Sequence, residues 1–114
     1  ELGYVLVEDG GPMDEAVGLI SRALTEDPDN GSYLDSLGWA YFKQGKLPEA
    51  RRHLERAAGL SRTNSVIQDH LGDVLIALKD GPGAVAAWER ALAGDGESID
   101  PATIKAKIAR ARQP

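Results

Sequence analysis

His70 is the residue best placed to do chemistry in this sequence: Asp69 precedes it, and Asp73 follows three positions later. On a helix that spacing puts His70 and Asp73 on one face, where they could hold a divalent cation. A single helix supplies only two or three ligands, however, and no fourth is in view, so no metal site is expected. His53 stands beside Arg51 and Arg52 and four residues after Glu49, the pattern of an exposed member of a surface charge network. Asp14-Glu15 and Asp27-Pro28-Asp29 read as helix-start and loop acids, and neither makes the pair of carboxylates in contrasting environments that acid–base catalysis needs. There is no cysteine, hence no thiolate nucleophile, thiolate metal site or disulfide. Gly10-Gly11-Pro12 and Gly81-Pro82-Gly83 lack both the following Lys-Ser/Thr and the preceding strand of a phosphate-cradling loop. These residues predict no enzyme and no cofactor.

The elements that must position these side chains come from a chain of 114 residues, 42% apolar and 27% charged, enough for one folded domain. No run of roughly 18 apolar residues occurs, so no membrane span is expected. The net charge of -5 hides a gradient. Residues 1–35 hold nine acids against Arg22 alone, residues 36–98 balance, and the last sixteen set Lys105, Lys107, Arg110 and Arg112 against Asp100. An acidic chain repels phosphate backbones, and the short basic tail is too small a footprint to make nucleic acid a partner. The sequence opens at Glu1 inside an apolar pattern, without an initiator Met or signal-peptide layout, which fits a fragment of a longer protein. Cytoplasm and bacterial periplasm are both left open.

Compared with itself at an offset of 34, the sequence aligns Leu37-Gly38 with Leu71-Gly72, Ala50 with Ala84, Leu54 with Trp88 and Ala57 with Ala91. Shifting the other way brings Ala16, Ile20 and Ala23 into the same columns, so two alanine columns are filled three times. Each unit reads as two amphipathic helices, with Leu34, Leu37, Gly38, Tyr41 and Phe42 on the first and Ala50, Leu54, Ala57 and Ala58 on the second. Gly45 closes the first helix of the middle unit, Pro48 opens the second, and Asp29, Asn30 and Ser32 offer capping oxygens. Downstream, Asn64 or Ser65 starts a helix to about Leu78, and Gly83 starts another to about Ala93. No strand is predicted. Gly38 and Gly72 each cost roughly 1 kcal/mol inside a helix, so their recurrence calls for close packing, with Ala50 and Ala84 facing them and Leu54 and Trp88 filling the space between units.

These columns resemble the tetratricopeptide repeat, with its W-x2-L-G-x2-Y, A-x3-F, A and P signature over 34 residues. The middle unit gives Leu34, Leu37, Gly38, Tyr41, Ala50, Leu54 and Ala57, with Arg62 in the Pro column. The third gives Gln68, Leu71, Gly72, Leu75, Ala84, Trp88 and Ala91, with Gly96 there. The first keeps Ala16, Ile20, Ala23 and Pro28, while Leu2-Gly3 falls one residue out of register, so a truncated first helix and a turn lengthened around Gly10-Gly11-Pro12 are expected. The resemblance implies an all-α, right-handed superhelical solenoid of antiparallel helix pairs. Its parts would be a truncated first repeat (1–29), second and third repeats (30–63 and 64–97) and a capping helix (98–114) built on Asp100-Pro101, Ile104 and Ile108. The opening Leu-Asp-Ser-Leu-Gly-Trp is similar to bacterial members.

The resemblance also implies a scaffold that binds a peptide or partner segment in a concave groove lined by the first helix of each unit. Its groove positions fall on Ser32, Asp35, Ser36, Trp39 and Phe42 in the middle unit and on Val66, Asp69, His70, Asp73 and Ile76 in the third, with Tyr4 and Val7 upstream. Members that grip chaperone C-terminal carboxylates do so with Lys, Arg and Asn at these positions. Here Asp35, Asp69 and Asp73 stand instead, which favours a ligand carrying Lys or Arg beside an apolar anchor. Aromatic residues at helical spacing also fill cores, so Trp39 and Phe42 have two readings, groove or inner-curve packing. The acidic front and basic rear offer a second use, homo-oligomers stacked head to tail.

Overall fold

The computed structural model describes residues 11–114. Tyr4 and Val7, expected on the upstream wall, lie outside them. Among the described residues six helices follow one another: α1 (Gly11–Glu26), α2 (Gly31–Lys43), α3 (Leu47–Leu60), α4 (Ser65–Ala77), α5 (Gly81–Ala93) and α6 (Pro101–Ala111). There is no strand among the described residues. The chain is an all-α solenoid of helix pairs, elongated at 47 × 31 × 23 Å.

The helix ends explain much of the spacing. Asn30 caps α2 by accepting from Tyr33 N–H at 2.9 Å, and Asn64, 34 residues on, caps α4 by accepting from Ile67 N–H at 3.1 Å. Asp80 and Asp100 do the same for α5 and α6. At the other end of α2, Gly45 adopts φ 77°, and Lys46 N–H returns to the Tyr41 carbonyl. The third unit repeats this closure with Lys79 at φ 68° in the column of Gly45, so a side-chain-bearing residue takes the left-handed position there. Two helices begin earlier than the sequence suggests. Gly11-Pro12 form the first residues of α1 rather than a lengthened turn, and α5 starts at Gly81 rather than Gly83, because proline's fixed φ suits a first turn that needs no N–H donor there.

Consecutive helices pack together, and α2 also touches α4, so α2 and α4 form the inner layer and α3 and α5 the outer one. Between the layers lies a single core in which Ala50, Leu54, Ala57, Val74, Ala84, Ala87 and Ala91 are fully buried and Leu34, Leu37, Leu71, Leu75 and Trp88 nearly so. Tyr41 is half-buried against that core. The two glycines sit closer to the large residues than to the small ones. A Cβ on Gly38 would lie 2.6 Å from Leu54 Cγ and 3.2 Å from the Ala50 carbonyl oxygen, and one on Gly72 would lie 2.5 Å from Trp88 Cδ1. Leu54 and Trp88 therefore fill the space above the glycine of their own pair, not the gap between units.

Gln68, in the column held by Leu34 in the middle unit, is also buried. Its amide is fully used: Nε2 donates to the carbonyls of Arg62 (3.1 Å) and Ala58 (3.4 Å), and Oε1 accepts from Arg90 Nε at 3.0 Å. A polar residue thereby ties α3, α4 and α5 together where an apolar one would only pack. Ser65 makes a second clasp. Its hydroxyl donates to the Ala91 carbonyl at 2.7 Å and accepts from Gly96 N–H at 2.8 Å, while Asp95 accepts from the N–H groups of Glu97 and Ser65. Those donors, Glu97 first, hold the Asp95 carboxyl below its ordinary range. Helix α6 closes the stack with Ile104 and Ile108 buried against the preceding pair.

Candidate peptide-binding wall

The inner layer sets Asp35, Trp39 and Phe42 on successive turns of α2, and Asp69, His70, Asp73 and Ile76 on successive turns of α4. Asp35 and His70 meet across the two helices. The Asp35 carboxylate lies 2.8 Å from His70 Nδ1, with both side chains about one-fifth exposed. The imidazole also stacks on Trp39, ring centres 4.0 Å apart and planes 20° apart, and Trp39 leans on Phe42 at 4.8 Å. Phe42 packs against the core, whereas half-buried Trp39 is held between the His70 ring, Phe42 and the exposed Lys43, whose ammonium lies 5.2 Å from the indole centre. The result is a shallow aromatic tray with a carboxylate at its edge.

The acidic part of the third unit has a different environment. Lys107 of α6 reaches back to donate to Asp73 at 2.9 Å and to Asp69 at 3.1 Å. Burial alone would lower its pKa, but the two carboxylates, by hydrogen bond and by charge, outweigh that and hold the ammonium above the ordinary lysine range. His70 and Asp73 thus have separate partners and do not form a cation pair, and among the described residues no three His, Cys, Asp or Glu side chains converge on a metal position. His53, which the sequence places in a charge network with Glu49, bonds instead to the Glu49 backbone carbonyl at 2.8 Å and lies beside the Tyr41 ring at 5.3 Å. Ile76, at 38% exposed, marks the lower end of the wall, and Ser32 and Ser36 are exposed at its upper edge.

One contributor escapes a reading of the sequence. Lys107 looks like one of four solvated tail cations, and the two isoleucines of the tail, Ile104 and Ile108, fix only loosely how α6 is rotated against α4. The Asp35–His70 pair did leave a trace: the two are 35 positions apart, one repeat plus one residue, the separation that makes inner helices of adjacent units lateral neighbours.

A sequence profile of the tetratricopeptide repeat matches residues 1–65. A TPR repeat-containing protein of Pseudomonas aeruginosa is 39% identical over 72 residues, covering 63% of this chain; the match spans only 12% of the length of that relative. Among solved structures, the TPR domain of Sgt2 from Aspergillus fumigatus superposes with a TM-score of 0.80 at 24% identity, over 96% of this chain and 72% of that one. The first TPR of Spaghetti (RPAP3), solved with the HSP90 peptide SRMEEVD, gives 0.78 at 24% identity, over 97% and 87%.

Proposed function

The chain belongs to the tetratricopeptide repeat family, whose members are non-catalytic protein-interaction scaffolds, and on that premise we propose that its inner wall binds a partner segment through the Trp39 tray. The observation that carries this reading is the Asp35–His70–Trp39–Phe42 cluster spanning α2 and α4. A half-buried tryptophan braced on two sides is a ready-made anchor, because the ordering cost of its own side chain is already met by His70 and Phe42. Lys43 is exposed, so an incoming apolar group displaces it at little cost.

Charge sets the rest of the preference. Asp35, Asp69 and Asp73 stand along the wall, and Lys107 offsets one of their three charges. The RPAP3 repeat was solved with a peptide that is itself acidic; a wall of aspartates favours the opposite sign, a segment with Lys or Arg flanking an apolar residue. Head-to-tail stacking of copies has less support, since two of the four tail cations are used within the chain: Lys107 as above, and Arg112 in an ion pair with Glu89 at 2.8 Å.

The test is a pair of measurements on Trp39→Ala. Affinity for apolar–basic peptides selected against the parent chain should fall by about tenfold or more, with helicity by circular dichroism near the parent's. Unchanged affinity removes the tray from the site, and a large loss of helicity makes Trp39 a core residue instead.

A further inference from the structure

Beyond the Trp39 tray, the wall ends in a pocket of about 530 Å³ where α4, α5 and α6 meet. Its interior is apolar: the Trp88 ring forms the floor, and Ile76, Ala106 and Ala111 the sides. Ile76 is one of the few large apolar side chains exposed in the structure. The rim carries two cations in different states. Lys107 is committed to Asp69 and Asp73, while Arg110, one turn further along the same face of α6, is exposed and has no carboxylate within ion-pair distance among the described residues. An apolar pocket of this size with one unspent guanidinium at its mouth suits a group that is apolar in its body and anionic at its edge.

We propose that this pocket is a second docking site, taking from a partner polypeptide an apolar side chain such as Leu or Phe with an Asp or Glu next to it, the carboxylate pairing with Arg110. The site is separate from the Trp39 tray and has the opposite charge preference, so a partner using both carries a basic part toward α2 and an acidic part toward α6. The Lys107 bridge contributes indirectly. By offsetting one of the Asp69 and Asp73 charges it reduces the repulsion that an incoming carboxylate would otherwise meet at the pocket edge.

The probes are two ten-residue peptides identical except at the centre, Leu-Glu in one and Leu-Lys in the other, titrated into the isotope-labelled chain and followed by amide and indole NMR shifts. The Leu-Glu peptide should move the Trp88 indole signal and the amides of 103–111, binding at least about tenfold more tightly than its Leu-Lys counterpart. Arg110→Glu, at an exposed position on the pocket rim, should invert that preference, and Trp39→Ala should leave it intact, which separates this site from the tray. Equal affinity for the two peptides, indifference to Arg110→Glu, shifts confined to Trp39 and His70, or no shift at about 1 mM peptide would each overturn the proposal.

Discussion

Replacing Gly72 by alanine should destabilise the chain, although alanine is the better helix former. The propensity gain is about 1 kcal/mol for an interior helix position. Against it stands the contact with Trp88. The new Cβ would lie 2.5 Å from Cδ1 and 2.7 Å from Cε2, short by 0.9 and 0.7 Å of the 3.4 Å at which ordinary contact begins. A flexible neighbour would swing aside. The indole is a rigid plate, 2% exposed and built into the core, so either the ring is driven toward the pocket between α4, α5 and α6 or the helices move apart, and both disturb the packing. Overpacking of this kind costs roughly 1–3 kcal/mol, toward the upper end of about 2–3 kcal/mol when the neighbour is rigid; less the propensity gain of about 1 kcal/mol, that leaves a net loss of about 1–2 kcal/mol and a Tm lower by roughly 5–15 °C. Gly59→Ala is the control, because Gly59 lies on the exposed side of α3 with nothing within 4 Å of its added Cβ. That variant should gain about 0.5 kcal/mol. Thermal and urea unfolding of the two variants therefore shift in opposite directions. A Gly72→Ala chain at least as stable as the parent would refute the packing argument, as would equal losses at both positions.

Lys79→Gly should raise stability by about 0.5–1 kcal/mol, since the lysine occupies the left-handed position that Gly45 fills one repeat earlier; urea unfolding reads this, and a loss of stability would mean that the Lys79 side chain does more than occupy a turn. The Lys107 bridge gives a pH signature. Its pKa is raised in the folded chain, so the folded state binds the proton more tightly, and its contribution is complete below the unfolded lysine value of about 10.4 and disappears as pH climbs through the raised value. The stability difference between the parent and Lys107→Met should accordingly be constant from pH 7 to 9 and shrink only as pH passes about 10.4. Asp95 runs the other way: its lowered pKa contributes above about 3.9 and fades as pH falls through the folded value, so Asp95→Asn should differ least from the parent in acid.

What the sequence makes legible is whatever repeats. Alanines 16, 23, 50, 57, 84 and 91 fall in two columns because a helix pair tolerates only small side chains where its backbones approach, and that constraint returns every 34 residues. The caps Asn30 and Asn64 recur for the same reason. Features made once leave no such trace. The Lys107 bridge depends on the rotation of α6, which a single copy of two isoleucines defines poorly. Gln68 stands in an apolar column, and only the carbonyls of Ala58 and Arg62 together with Arg90 show why it is tolerated. Spacing alone pairs His70 with Asp73 on its own helix, yet the lateral neighbour Asp35 holds it, because side chains of adjacent inner helices meet at hydrogen-bond range as readily as those one turn apart.

The most direct measurement of the central claim is where a bound segment lies on the solenoid. An apolar–basic peptide selected against the chain and carrying a nitroxide at its centre should broaden the Trp39 indole signal and the amides of 35–42 and 69–76 on the inner helices, leaving Arg51 and Glu55 of the outer α3 sharp. Broadening centred on α3 and α5 with the Trp39 signal intact would contradict the account.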